Sequence, residues 1–276
     1  MRILVTGDAG WLGGHISNHL EGEGHVVVGF DLLPGDRMVG DLVDLKPEHL
    51  EGIEAVVHCA AIGDVYVANR NPALAFKASA EGTAALVAAC PEDLRVFVHI
   101  STWEVYGPHS PHIEVLETSQ CRPEHPYAAA KRAGELALVS TIRTPWRILR
   151  LGSAYGHGMR ESSLISRFIE KMRSGEPLTI HDDGKQFRQW VWTGDMCRAV
   201  SSALGDVPNG VYNVVGSEAV TVLGLAEMLG GEIVHQERRK SETPCYLVSG
   251  AKAKFWLRWE PEKGFKEGVA EIVRST

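Results

Sequence analysis

The feature that most constrains this chain lies at its start. Arg2-Ile3-Leu4-Val5 reads as a strand, and it runs directly into Thr6-Gly7-Asp8-Ala9-Gly10-Trp11-Leu12-Gly13, which opens a helical pattern. Each glycine has a physical reason to be there. Gly7 allows a tight turn, Gly10 lets the backbone approach a pyrophosphate, and Gly13 lets the helix pack close to the strand. Phosphates would then face the free N–H groups and the positive end of the helix, around Trp11 and Leu12. A glycine triplet alone is a common turn, but set between a strand and a helix it marks a dinucleotide-binding loop.

Asp31 ends the second strand-like run. A carboxylate there can accept hydrogen bonds from both adenosine ribose hydroxyls and would repel a 2′-phosphate, which favours NAD over NADP. Arg37 is near enough in the sequence to blur that preference.

Strand-like runs at 2–6, 25–30, 55–59, 96–100 and 147–150 alternate with helical segments near 11–21, 73–90 and 126–142. This alternation predicts an α/β fold, a doubly wound parallel sheet of the Rossmann type covered on both faces. After about residue 151, glycines and prolines break the rhythm. Helices are expected at 162–173, 195–204 and 221–229, with short strands at 178–180 and 211–215. The expected organisation is a dinucleotide-binding domain over 1–152 and a smaller α/β substrate lobe over 153–276, with part of 189–205 packing back on the first domain.

With 276 residues, 44% of them hydrophobic, the chain can bury a large core. Its net charge of −7 comes without a basic stripe, so nucleic acid is not an expected partner. A small anionic substrate is compatible, because a few arginines in a cleft suffice. Cys59, Cys90, Cys121, Cys197 and Cys245 are widely spaced and show no metal-ligand pattern, as expected of thiols in a reducing cytosol. His109, His112, His157 and His181 fall in polar or Gly/Pro-rich loops without ligand spacing, so no metal is expected. No signal peptide or membrane-length apolar run is read, and the expected location is the cytoplasm.

Tyr127 and Lys131 are one helical turn apart, so they share a face, and a lysine cation there would favour the tyrosine phenolate. On its own this spacing is common. Ser101-Thr102-Trp103-Glu104-Val105-Tyr106-Gly107 gives it weight, because hydroxyls and a carboxylate at the C-terminal end of a strand lie where open sheets bind ligands.

Together these motifs resemble the extended short-chain dehydrogenase/reductase family, in its NAD-dependent nucleotide-sugar epimerase/dehydratase branch. The resemblance runs through 6–13, Gly40-Asp41-Leu42, Val57-His58-Cys59-Ala60-Ala61, 101–107, 127–131, Arg150 with Tyr155-Gly156, 175–178, Val211-Tyr212-Asn213 and Trp259-Glu260-Pro261. It implies that Asp41 and Leu42 hold adenine, and that Ala60, Ala61 and Ser101 line the cofactor channel. It also implies that Lys131 binds the nicotinamide ribose and keeps Tyr127 reactive. Tyr127, helped by Thr102, would take a proton from a sugar hydroxyl as its carbon gives hydride to NAD. Arg188 and Arg239 match positions that grip the nucleotide diphosphate, and Ser153 lies near substrate. The resemblance further implies a homodimer through the 73–90 and 126–142 helices.

The chain departs from the family pattern at three places. Trp103 stands where 4,6-dehydratases carry an aspartic acid that protonates the departing hydroxyl, a job indole cannot do. It is either an aromatic platform or packing. Glu104 is retained, either as a base for the C5 proton or as a residue that orients its neighbours. Ser79 and Ser153 replace the usual asparagines, and the second lobe is short. The favoured expectation is an NAD-dependent C4 epimerase. The alternatives are a dehydratase or C5-acting enzyme with Glu104 as base, an NAD(P)H-consuming ketoreductase, and a dinucleotide sensor without chemistry.

Overall fold

The computed structural model describes residues 1–110, 112–237 and 246–275. In chain order the first part contains β1 (Arg2–Thr6), α1 (Trp11–Gly22), β2 (Val26–Asp31), β3 (Met38–Val39) and β4 (Ala55–His58). It continues with α2 (Val65–Arg70), α3 (Pro72–Phe76), α4 (Gly82–Ala89), β5 (Val96–Thr102), α5 (Pro126–Thr141) and β6 (Trp146–Leu151). The second part contains β7 (Ser153–Tyr155), α6 (Leu164–Ser174), β8 (Leu178–His181), β9 (Phe187–Trp192), α7 (Thr193–Ala203) and β10 (Gly210–Val214). It ends with β11 (Ala219–Thr221), α8 (Val222–Leu229), β12 (Ile233–Gln236) and α9 (Phe265–Ser275).

The large sheet has the order β10-β6-β5-β4-β1-β2-β3, and every pairing in it is parallel. Its central strands read as unbroken apolar runs because both faces are covered, and successive side chains go to opposite cores. Ile3 and Val5 of β1, Val57 of β4 and Val98 of β5 pack with Ile16 and Leu20 of α1 and Met196 and Val200 of α7. Leu4, Val56 and Phe97, their neighbours in sequence, pack on the other side with Leu86 of α4 and Leu138 of α5. Fully burying each such side chain contributes about 1.5–3 kcal/mol. This is the doubly wound α/β arrangement expected from the sequence. The chain order reverses between β1 and β4, which opens a crevice above their C-terminal ends.

The helix expected over 73–90 is not uniform: a π-helical stretch, Lys77–Glu81, separates α3 from α4. Thr83 Oγ1 donates to the Ser79 carbonyl at 2.6 Å, and α5 passes so close that a side chain at Gly134 would strike that carbonyl. π-Helical turns of this kind are common at functional sites.

The smaller lobe is built from a sheet of order β11-β9-β7 and a β8–β12 pair, closed over Tyr155, Phe168, Leu225 and Phe265. β10 lies between strands of this lobe in sequence but forms an edge of the large sheet beside β6. No helix among the described residues is long and apolar enough to cross a membrane.

Candidate active site

Gly7 turns the chain out of β1 at φ +72°, and a side chain there would lie 2.7 Å from the Ala60 nitrogen. A side chain at Gly13 would strike the Gly7 carbonyl. Gly10 caps α1 without a side-chain bond, and the first turn of α1 holds no acidic residue, so its N–H groups are left for an anion. Asp31 Oδ2 accepts from Ala9 N at 3.2 Å and Oδ1 from Leu33 N at 3.0 Å, which places the carboxylate beside the loop. The loop, the uncapped helix end and the adjoining carboxylate therefore fit a dinucleotide. Trp11 and Leu12 open α1, and the Trp11 indole donates to the His157 carbonyl at 2.7 Å, tying the loop to the second lobe. Ala60 N donates to Thr6 Oγ1 at 3.2 Å, with Ala61 next in the chain. Asp41 caps the short turn Leu42–Asp44 and receives Lys77 Nζ at 2.7 Å, while Leu42 is buried.

Thr102, Tyr127 and Lys131 meet at the C-terminal end of β5. Tyr127 is hydrogen-bonded to the Thr102 side chain, but burial, and then the Glu104 carboxylate, push its phenol above the usual range. Arg160 and the Thr102 bond oppose them. Lys131 Nζ donates to the Ile100 carbonyl at 2.8 Å, and burial lowers its ammonium to about 8. Lys131 is not among the groups that lower the tyrosine, and desolvation disfavours the charged form of each. The Ser101 hydroxyl points beneath the site, donating to Glu135 Oε1 at 2.6 Å.

Glu104 comes within 3.5 Å of His125, Oε2 to Nε2. Burial raises its carboxyl pKa, against the attraction of His125, Arg188 and Arg160. His125 caps α5, its Nδ1 accepting from Ala128 N at 3.3 Å. That bond assigns the proton of the neutral ring to Nε2, the atom facing Glu104. The His125 ring also stacks parallel to Tyr127, with centroids 6.1 Å apart. Trp103 is buried against Tyr246, with ring centroids 5.3 Å apart, and also lines a narrow pocket with Arg188, Gln189 and Val215. Trp103 therefore both packs and lines that pocket. Ser153 starts β7, paired with Trp190 of β9. Arg239 and Cys245 lie outside the described residues.

Sequence reasoning passed over three residues that the fold brings to this region. His125 carried a signal, a capping side chain just before Pro126 at a helix start. Arg160 carried none, since its neighbours Asp64 and Gly63 are distant in sequence. Asp8 was visible only as a variable position of the glycine loop.

Known proteins resemble this chain along nearly its whole length. The profile described as "NAD dependent epimerase/dehydratase family" matches residues 3–215. A dTDP-glucose 4,6-dehydratase of Streptomyces niveus is 31% identical, over 99% of this chain and 92% of that protein. The structure of a UDP-glucose 4-epimerase with UDP-glucose from Thermotoga maritima superposes with a TM-score of 0.90 at 28% identity, covering 99% of this chain and 98% of the other. A dTDP-glucose 4,6-dehydratase from Streptomyces venezuelae with NAD bound gives 0.89 at 28% identity, covering 99% and 96%.

Proposed function

The chain belongs to the NAD dependent epimerase/dehydratase family, and from that premise we propose that it inverts C4 of a nucleotide-diphosphate sugar through a transient 4-keto sugar. At the coarser level it is an NAD-dependent enzyme that modifies nucleotide sugars, as are the epimerases and dehydratases it resembles. The observation that carries the finer reading is the composition of one site. Thr102, Tyr127 and Lys131 are assembled there, while buried Trp103 takes the place from which a dehydratase would protonate a leaving hydroxyl.

The glycine loop and α1 would hold the pyrophosphate, Asp31 the adenosine ribose and Lys131 the nicotinamide ribose. When bound, NAD supplies a hydride acceptor and donor and a fixed positive charge. Tyr127 would act as the phenolate, a form that the positive charge of bound NAD favours against burial, and with Thr102 sharing its hydrogen bond would accept the C4 hydroxyl proton as hydride leaves that carbon. The resulting ketone would present its other face, and as hydride came back to C4 Tyr127 would return the proton. Electrons balance over the cycle, so no dinucleotide is consumed. Arg188 lines the pocket with Trp103 and is suited to grip a diphosphate.

A second reading, C5 proton removal by Glu104, is favoured by one observation. Glu104 Oε2 has no hydrogen-bond partner among the described residues and stands beside His125. A homodimer through the helical segments 73–90 and 126–142 is also proposed, and Leu74, Phe76, Leu136 and Val139 in them are exposed. The test is incubation with UDP-, GDP- and dTDP-sugars, reading product configuration by NMR and NADH by absorbance. The proposal expects a C4-inverted sugar with no net NADH. NADH formed in proportion to product would overturn it.

A further inference from the structure

Three charged side chains gather where the C-terminal end of β2 lies beside the glycine loop. Asp8 turns its carboxylate toward β2, into space that exists because residue 29 is glycine; a side chain there would collide with it. Arg37 Nε approaches Asp8 Oδ2 at 3.4 Å, and the two side chains are only 20% and 11% exposed. A side chain at Gly35 would come within 3.0 Å of the same guanidinium, so Gly35 makes room for the arginine as Gly29 does for the aspartate. Asp8 Oδ1 and Arg37 Nε are buried with no hydrogen-bond partner among the described residues. Asp31 is the third member, tied to this loop through Ala9. Burial pushes the Asp8 carboxyl up, Arg37 pulls it down, and Asp31 pushes it up again.

This is the end of the strand at which a carboxylate selects a ribose 2′-hydroxyl and an arginine accommodates a 2′-phosphate. Here both residue types are present, and a second carboxylate decides between them. We propose that Asp8 is a coenzyme-discriminating residue: by pairing with the Arg37 guanidinium, it withholds that cation from a 2′-phosphate. Asp8→Asn keeps the shape, removes the charge and frees Arg37 to pair with that phosphate.

The inference rests on the dinucleotide site alone, and its test uses no sugar, so a different sugar reaction would leave it untouched. The full chain loaded with radiolabelled NAD⁺ is titrated with NADP⁺ and, separately, with unlabelled NAD⁺. Displacement then gives the ratio of the two affinities. Asp8→Asn should shift that ratio toward NADP⁺ at least tenfold, the size of one charge-assisted hydrogen bond gained. Adding Arg37→Ala should abolish the shift. Asp8→Ala serves if the asparagine variant does not fold. A ratio within twofold of the unsubstituted chain, or a shift that survives loss of Arg37, overturns the proposal.

Discussion

Glu135 is the buried anion on which the floor of the site rests, and its charge can be removed with a calculable result. It is fully buried and accepts from Ser101, from Arg132 at 2.7 Å, and from Arg150 twice, at 2.9 and 2.7 Å. Arg150 is itself 2% exposed and lies over the Tyr106 ring. Glu135→Gln leaves that guanidinium buried without its counter-charge, a change that costs about 3–5 kcal/mol. At roughly 2–4 °C per kcal/mol for a chain of this size, the melting temperature should fall by about 10 °C. Although burial opposes its ionisation, the Arg150 bonds, with Ser101 and Arg132, hold the Glu135 carboxyl below the usual range. A depressed carboxyl stabilises the fold above its unfolded pKa and loses that contribution as pH falls through the folded value. The gap between the two proteins should therefore be full at pH 7 and narrow below the ordinary glutamate range near 4.3. Differential scanning fluorimetry from pH 3.5 to 7.5 reads both effects. A loss under about 2 °C at pH 7 would refute the reasoning, because the buried pair would then contribute no more than a surface one.

Four further outcomes are expected. Gly13→Ala should weaken NAD binding at least a hundredfold by calorimetry, since its methyl would strike the Gly7 carbonyl and push helix from loop. Tyr127→Phe should lower kcat by about 10²–10⁴-fold while NAD still binds, the usual loss of a general acid–base group. Lys131, lowered to about 8 by burial, binds fewer protons folded than unfolded between that pH and the ordinary lysine range near 10.4. Its contribution to stability therefore rises with pH across that window, and Lys131→Met should remove the rise in urea melts at pH 7.5–10. Glu104→Gln should slow turnover less than about tenfold, against the 10²–10⁴ expected of a true base, as steady-state kinetics would show.

Much of the fold can be read from the sequence where the reasons are local. The loop at 6–13 and the runs of β4 and β5 are legible because glycine sterics and two-sided burial act within a few residues. β9 is not, because Phe187-Arg188-Gln189-Trp190-Val191-Trp192 mixes polar and aromatic residues on both faces, and its partners β7 and β11 are distant in sequence. α9 escaped as well, although Phe265, Val269 and Ile272 form a buried face, because Lys263-Gly264 just before it reads as a turn. The Tyr127–Lys131 spacing puts both residues on one helix face, but the direction of their pKa shifts follows from burial, which spacing does not report. The Asp8–Arg37 and Glu104–His125 pairs depend on the turn after β2 and on the packing of α5 against β5, so they emerge only in three dimensions.

The central claim, hydride out and back at C4 with no acid–base chemistry at C5, is tested most directly by proton NMR in D₂O. The chain is given UDP-, GDP- and dTDP-sugars in turn. The account predicts a C4-inverted sugar that keeps its proton at C5. Deuterium appearing at C5 would contradict it and assign that proton's removal to Glu104 or a neighbour.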